Sequence, residues 1–175
     1  MVFPLIDETS LRCAWKELAK RIRDFDADVV VQIARKTPRL CEGFELTFGN
    51  NCLSVSDLAI PFIHRILRGA RVAVVDDVIN VGTTLERAIQ AVRACGATEV
   101  SAFALGRRAT EANSDVAADC VWEDPLDEDA YTQLTLFVPT LLLGLRKPYD
   151  IEYPLISCRL SSTCTSHSEV MRSLG

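Results

Sequence analysis

The sequence predicts an α/β fold: a mostly parallel, doubly wound sheet with helices on both faces. Three observations carry that expectation. Short apolar, β-branched runs alternate with amphipathic helical stretches, the pattern of parallel strands joined by crossover helices. One such run, Arg71 to Val75, leads straight into two carboxylates, a turn with one glycine and a new helix. Open α/β sheets bind ligands just outside the carboxyl ends of their strands, so a site is expected there. Finally, a chain of 175 residues suits one domain with enough interior to be stable unaided.

The elements follow in order. Thr9 or Ser10 can cap a first helix, whose Leu11, Trp15, Leu18 and Ile22 share one face. Asp28 to Ile33, DVVVQI, reads as the first buried strand. A basic turn follows, and Leu40 to Phe48 takes no assignment. Leu53 to Val55 is expected to be a short strand, with Ser56 or Asp57 capping a helix to about Leu67. Arg71 to Asp76 is the next strand. Thr83 and Glu86 have capping-box spacing, Leu85, Ala88, Ile89 and Val92 line one helical face, and Gly96 is placed to end that helix. Thr98 to Leu105 and Asp119 to Trp122 complete the strands. Tyr131 to Leu145 is apolar but too short to cross a bilayer and is interrupted by Pro139, so a buried, kinked helix is expected. Residues 147–157 are expected to be extended because each proline disfavours helix at the residue before it. Residues 1–160 form the expected domain, and the Ser/Thr-rich residues 161–175 a flexible tail.

Composition narrows the function. Nineteen basic against 24 acidic side chains argue against an unspecific nucleic-acid or membrane surface. Seven scattered cysteines without a CxxC pair, and only two histidines, suit reduced thiols in a cytoplasmic protein rather than a disulfide frame or zinc site. The N-terminus, MVFPLIDETS, shows no basic region followed by an apolar run, so no signal peptide is expected. Neither His64 nor His167 lies in a motif that would make a nucleophilic triad.

The chemistry is concentrated in residues 71–84, RVAVVDDVINVGTT. Carboxylates accept hydrogen bonds only, which suits sugar hydroxyls or a hydrated metal, while amides at a helix start suit a phosphate. Asp76 and Asp77 followed by Asn80, Val81, Gly82, Thr83 and Thr84 therefore fit a ribose 5-phosphate. A plainer reading has Thr83 capping a structural helix and the aspartates merely ending a strand. Phospho-acceptor domains also carry an acidic pair, but they need a further aspartate after a later strand, and here the next strand ends in Leu105, Gly106, Arg107 and Arg108. A second candidate is ARKTPRL, Ala34 to Leu40, whose Arg35, Lys36 and Arg39 follow the first strand. Neighbouring strand ends share one crevice, so these cations can face a polyanion whose sugar rests on the acid pair. A solvated basic turn is the alternative.

The segment VVDDVI with GTT resembles the phosphoribosyl pyrophosphate (PRPP) signature of type I phosphoribosyltransferases. That resemblance implies that Asp76 and Asp77 contact the ribose 2- and 3-hydroxyls during catalysis and that Asn80 to Thr84 wrap the 5-phosphate. It implies a pyrophosphate loop at Arg35, Lys36 and Thr37, with Thr37-Pro38 in place of the usual glycine-rich form. Asn80 and Val81 stand where small or hydroxyl-bearing residues are common. Mg2+ would be carried by PRPP rather than by a protein ligand set, and a homodimer is frequent in the family. The long flexible loop that usually precedes the signature strand, and a hood that reads the base, have no counterpart here; Trp122, Tyr131 or Tyr149 could stack on a base. Two functions stay open. One is a phosphoribosyltransferase of nucleotide metabolism acting on an unidentified nitrogenous base or amine. The other is a non-catalytic module that binds PRPP or a nucleotide as a sensor or regulatory partner.

Overall fold

The computed structural model describes residues 8–33, 52–109 and 116–132. Helix α1 spans Glu8–Asp24, β1 Val29–Gln32 and β2 Cys52–Ser54. A 3-10 turn at Val55–Ala59 leads into helix α2, Pro61–Leu67, then strand β3, Arg71–Ile79. Helix α3, Thr83–Ala94, is followed by β4, Glu99–Arg107, and the short β5, Asp119–Cys120. The sheet runs β2-β1-β3-β4-β5 and every pairing is parallel. The doubly wound α/β architecture expected from the sequence is the one observed. The unassigned stretch 40–48, the extended stretch 147–157, the tail and most of the 131–145 segment lie outside the described residues.

The central strands are buried on both faces, and each face has its own core. On one side α1 presents Leu11, Ala14, Trp15, Leu18, Ala19 and Ile22 to Val30, Ala73, Val75, Phe103 and Leu105. On the other, Leu58, Ile63 and Leu67 join Leu85, Ala88 and Val92 of α3 against Val29, Val31, Val72, Val74, Ala102 and Ala104. This is the two-residue alternation of a strand meeting the helical period of 3.6. Each large aliphatic side chain buried this way contributes about 1.5–3 kcal/mol. Helix α3 ends as its glycine requires: Gly96 takes a left-handed φ of 92° just past the last turn.

Several boundaries differ from expectation. Thr9 and Ser10 sit inside helix α1 rather than capping it. The cap after β2 is Ser54, not Ser56 or Asp57: the Asp57 carboxylate accepts from Ser54 N–H at 2.7 Å and the Ser54 hydroxyl from Ser56 N–H. The helix beyond it is two pieces, because Pro61 opens a fresh turn after Ile60. Strand β5 has two residues where four were expected. The largest difference concerns β3, which does not stop at Asp76 but pairs onward through Val78 with Gly106 and Ile79 with Arg107. Two apolar residues after the acids keep the ladder going.

Strand order positions the site. In the order 2-1-3-4-5 the chain reverses direction across the sheet between β1 and β3, and the crevice at that switch point is where such sheets bind ligands. Of the two strands flanking it, β3 carries the acid pair near its carboxyl end, and β1 is followed in sequence by Arg35 and Lys36.

Candidate functional site

Asp76 and Asp77 are the sixth and seventh of the nine residues of β3, both half-buried. Val75 and Val78 pack into the same α1-side core although they are three residues apart, while Ile79 joins the other core. The strand's alternation is thus broken across the acid pair. Each carboxylate is engaged locally: Asp77 N–H donates to Asp76 Oδ1 at 3.0 Å, and Val78 N–H to Asp77 Oδ1 at 2.8 Å. The two side chains remain close enough to feel each other. Burial first, and then the charge of Asp77, hold the Asp76 carboxyl well above the usual carboxylate range.

That elevation makes the acid pair a cost to the fold at neutral pH. An unfolded Asp titrates near about 3.9, whereas folded Asp76 keeps its proton to higher pH. The folded state therefore binds more protons between those two values, and its stability falls as pH rises through the folded value. Asp76→Asn is expected to melt above the wild type at pH 7.5, by about 2–4 °C for each kcal/mol relieved in a chain of this size. The gap should close near pH 4, and thermal unfolding at the two pH values checks it; a gap independent of pH would contradict this origin.

The loop after β3 is arranged differently from its expected form. Thr83 is not the cap of α3. Gly82 is, with φ 89° and ψ −11°, and no side chain caps the helix. Only glycine adopts that left-handed conformation without steric cost. The first helical bond runs from Glu86 N–H to Gly82 O at 2.9 Å. The N–H groups of Thr83, Thr84 and Leu85 therefore have no partner within the helix, and Thr83 and Thr84 are exposed to solvent. Three amides at the positive end of a helix dipole form a receptor for an anion, worth up to about 2 kcal/mol for the dipole alone in a partly buried site. Val81 is exposed and offers no side-chain donor.

The structure thus brings Asp76, Asp77 and residues 80–84 together at the switch point. Arg35, Lys36 and Thr37 lie outside the described residues. Three groups escaped the sequence reading. Gln32, the last residue of β1, is buried with its Oε1 unpartnered, an orphan polar atom beside the crevice of the kind that calls for an explanation. Its signal was a lone polar residue in an apolar strand. Arg108 donates from Nη1 to Asn80 Oδ1 at 3.2 Å; the Arg107-Arg108 pair at a strand end was its only trace. Glu128 pairs with Arg108 in turn. Of the aromatic candidates, Tyr131 is covered by the Arg108 guanidinium at 4.8 Å from its ring centre. Trp122 is half-buried against the α1-side core, and with Leu126, whose Cδ1 is 2.9 Å from where a Cβ would sit, it crowds Gly106. Tyr149 lies outside the described residues.

A cavity of about 1050 Å3 opens elsewhere, on the outer edge of β4, lined by Arg21, Phe25, Ile89, Arg93, Phe103 and Asp119. It contains neither the acid pair nor the glycine turn. That cavity is lined by charged side chains of its own, Arg21, Glu86, Arg93 and Asp119, whereas the acid pair and the open helix start lie at the strand ends.

The family model described as the phosphoribosyl transferase domain matches residues 16–126, well over half of the chain. The chain belongs to that family. The match runs from α1 through the acid pair to Leu126, and it places the chain with the phosphoribosyltransferases, the enzymatic side of the two functions left open by the sequence. Solved structures with this fold include a hypoxanthine-guanine-xanthine phosphoribosyltransferase, 17% identical with a TM-score of 0.51, the match covering 65% of this chain and 73% of that one. A hypoxanthine-guanine phosphoribosyltransferase from Bacillus anthracis is 19% identical, with a TM-score of 0.50 over 69% of this chain and 82% of that one. A purine phosphoribosyltransferase from Pyrococcus horikoshii is 24% identical, with a TM-score of 0.46 over 64% and 81% of the two chains. At these identities the likeness to the first two is one of fold alone. No curated protein sequence matches the chain.

Among the described residues of this phosphoribosyl transferase domain, no group of three or more His, Cys, Asp or Glu could hold a metal. No described helix is long and apolar enough to cross a membrane. Two adjacent carboxylates suit Mg2+ only as an ion that arrives with a phosphorylated substrate and keeps most of its own water.

Proposed function

We propose that this chain transfers the 5-phosphoribosyl group of PRPP to a nitrogenous base or amine. The observation that supports it most is the juxtaposition of a half-buried acid pair with an uncapped helix start, one turn apart on β3 and α3. Asp76 and Asp77 accept from the ribose 2- and 3-hydroxyls and hold the ring; the amides of Thr83, Thr84 and Leu85 bind the 5-phosphate. Arg35, Lys36 and Thr37, following β1, are assigned to the pyrophosphate. Mg2+ bound with PRPP supplies charge neutralisation to the departing pyrophosphate.

In the reaction the bond from ribose C1 to the pyrophosphate oxygen breaks and a bond from C1 to the acceptor nitrogen forms. The bonding pair leaves with pyrophosphate, and the acceptor's proton passes to solvent. Positive charge builds on the sugar, where the two carboxylates stabilise it electrostatically. No protein nucleophile is needed. The same reading takes residues 1–160 as one domain with 161–175 as its tail, homodimeric and cytoplasmic, without nucleic-acid or membrane partners. Cys13, Cys95 and Cys120 are free thiols, which suits a reducing compartment.

Pyrophosphate release from PRPP with Mg2+, assayed against a panel of purine and pyrimidine bases, tests the proposal. Release that depends on one base is expected. PRPP binding without release under every base would favour the sensor, a role to which the donor-less Val81 is better suited.

A further inference from the structure

Arg108 stands between two segments that are far apart in sequence. Its backbone N–H donates to Ile79 O at 2.8 Å, at the foot of the phosphate loop, and the residue forms a parallel bridge with Leu126. On the other side, Ala109 N–H donates to Leu126 O at 2.8 Å. The side chain repeats the arrangement. Nη1 donates to Asn80 Oδ1 at 3.2 Å, Nη2 to Glu128 Oε2, and the guanidinium plane covers Tyr131. Glu128 and Tyr131 belong to the helical turn at residues 128–132. Asp127 opens that turn, accepting from Ala130 N–H through Oδ1 at 2.8 Å and from Tyr131 N–H through its carbonyl at 2.9 Å.

We infer that Arg108 is a positioning residue: through Asn80 it locks the start of the phosphate loop to the 127–132 turn, so the two segments order as one unit. The planar fork makes this possible, since a lysine ammonium cannot serve an amide, a carboxylate and a ring face in one fixed geometry. Taken alone, the Arg108–Glu128 pair is too exposed to matter much, with Glu128 66% accessible. It matters here because the same guanidinium is held on three sides, so little freedom remains to be lost when the loop closes on an anion. Asn80 then gains a purpose. Where a hydroxyl is common in the resembled signature, this chain has a side chain that reaches across to Arg108, just past the end of β4.

The ligand in this inference rests on the proposed sugar-phosphate function; the coupling of the two segments does not. The test measures both, using the full chain. Arg108→Ala is expected to weaken PRPP about five- to tenfold in calorimetry with Mg2+ and to speed amide exchange at residues 80–86 and 127–131 together. Glu128→Gln, an exposed change that the fold tolerates, moves both readouts the same way by about twofold. The Asn80→Ala, Arg108→Ala double variant binds no more weakly than the weaker-binding single variant, because both remove one shared contact. Exchange that rises in only one segment, or a double variant showing the product of the two single losses, overturns the inference. A wild type that ignores PRPP while Arg108→Ala still loosens both segments overturns the sugar-phosphate function and leaves the Arg108 lock standing.

Discussion

Replacing Asp76 and Asp77 together by asparagine is expected to abolish PRPP binding, by at least about a hundredfold, without unfolding the protein. Hydrogen bonds to a charged group are worth about 1.5–3 kcal/mol each, so two carboxylates gripping two hydroxyls account for two to four decades of affinity. Asparagine keeps the shape and one acceptor oxygen but loses the charge that favours the ribose hydroxyls and an accompanying cation. The fold should not suffer, because Asp76 is already held against its ionisation by burial and by Asp77. Calorimetry with PRPP and Mg2+, run beside thermal unfolding at pH 7.5, separates a lost site from a lost fold. Undiminished binding in the double variant would remove the acid pair from the site.

The second large effect is expected at Gly82. Its φ of 89° costs an ordinary L-residue about 1–2 kcal/mol, and a β-branched side chain fares worst there. Gly82→Val either pays that strain or swings the peptide over, and swinging it turns the amides of Thr83 and Thr84 away from their common focus. Stability should fall by about 1–2 kcal/mol, and affinity for PRPP and for ribose 5-phosphate by more than tenfold. Ribose 5-phosphate is the sharper probe because it lacks the pyrophosphate. A variant that loses stability but binds both ligands normally would show that the helix start does not hold the phosphate.

What the sequence made legible follows physical reach. The apolar runs of β1, β3 and β4 and the helical faces of α1 and α3 declare themselves locally, and together they dictate a doubly wound sheet. An acid pair looks like a strand end, so the local pattern stops β3 at Asp76, yet the ladder to Gly106 and Arg107 continues. The Thr-x-x-Glu spacing points to Thr83, and only the backbone shows that glycine takes the left-handed cap position one residue earlier. The contacts of Arg108 to Asn80 and Glu128 span 28 and 20 residues, and no local pattern encodes such a meeting. Gln32 was visible as a polar residue in a buried strand, but its meaning depends on the strand order that sets it beside the crevice.

A crystal structure of the protein with PRPP and Mg2+ bound is the most direct test. The ribose 2- and 3-hydroxyls are expected within hydrogen-bond distance of Asp76 and Asp77, and the 5-phosphate on the amides of Thr83 to Leu85. A ligand seated in the cavity at the β4 edge beside Arg21 and Arg93, with the acid pair untouched, would contradict that placement.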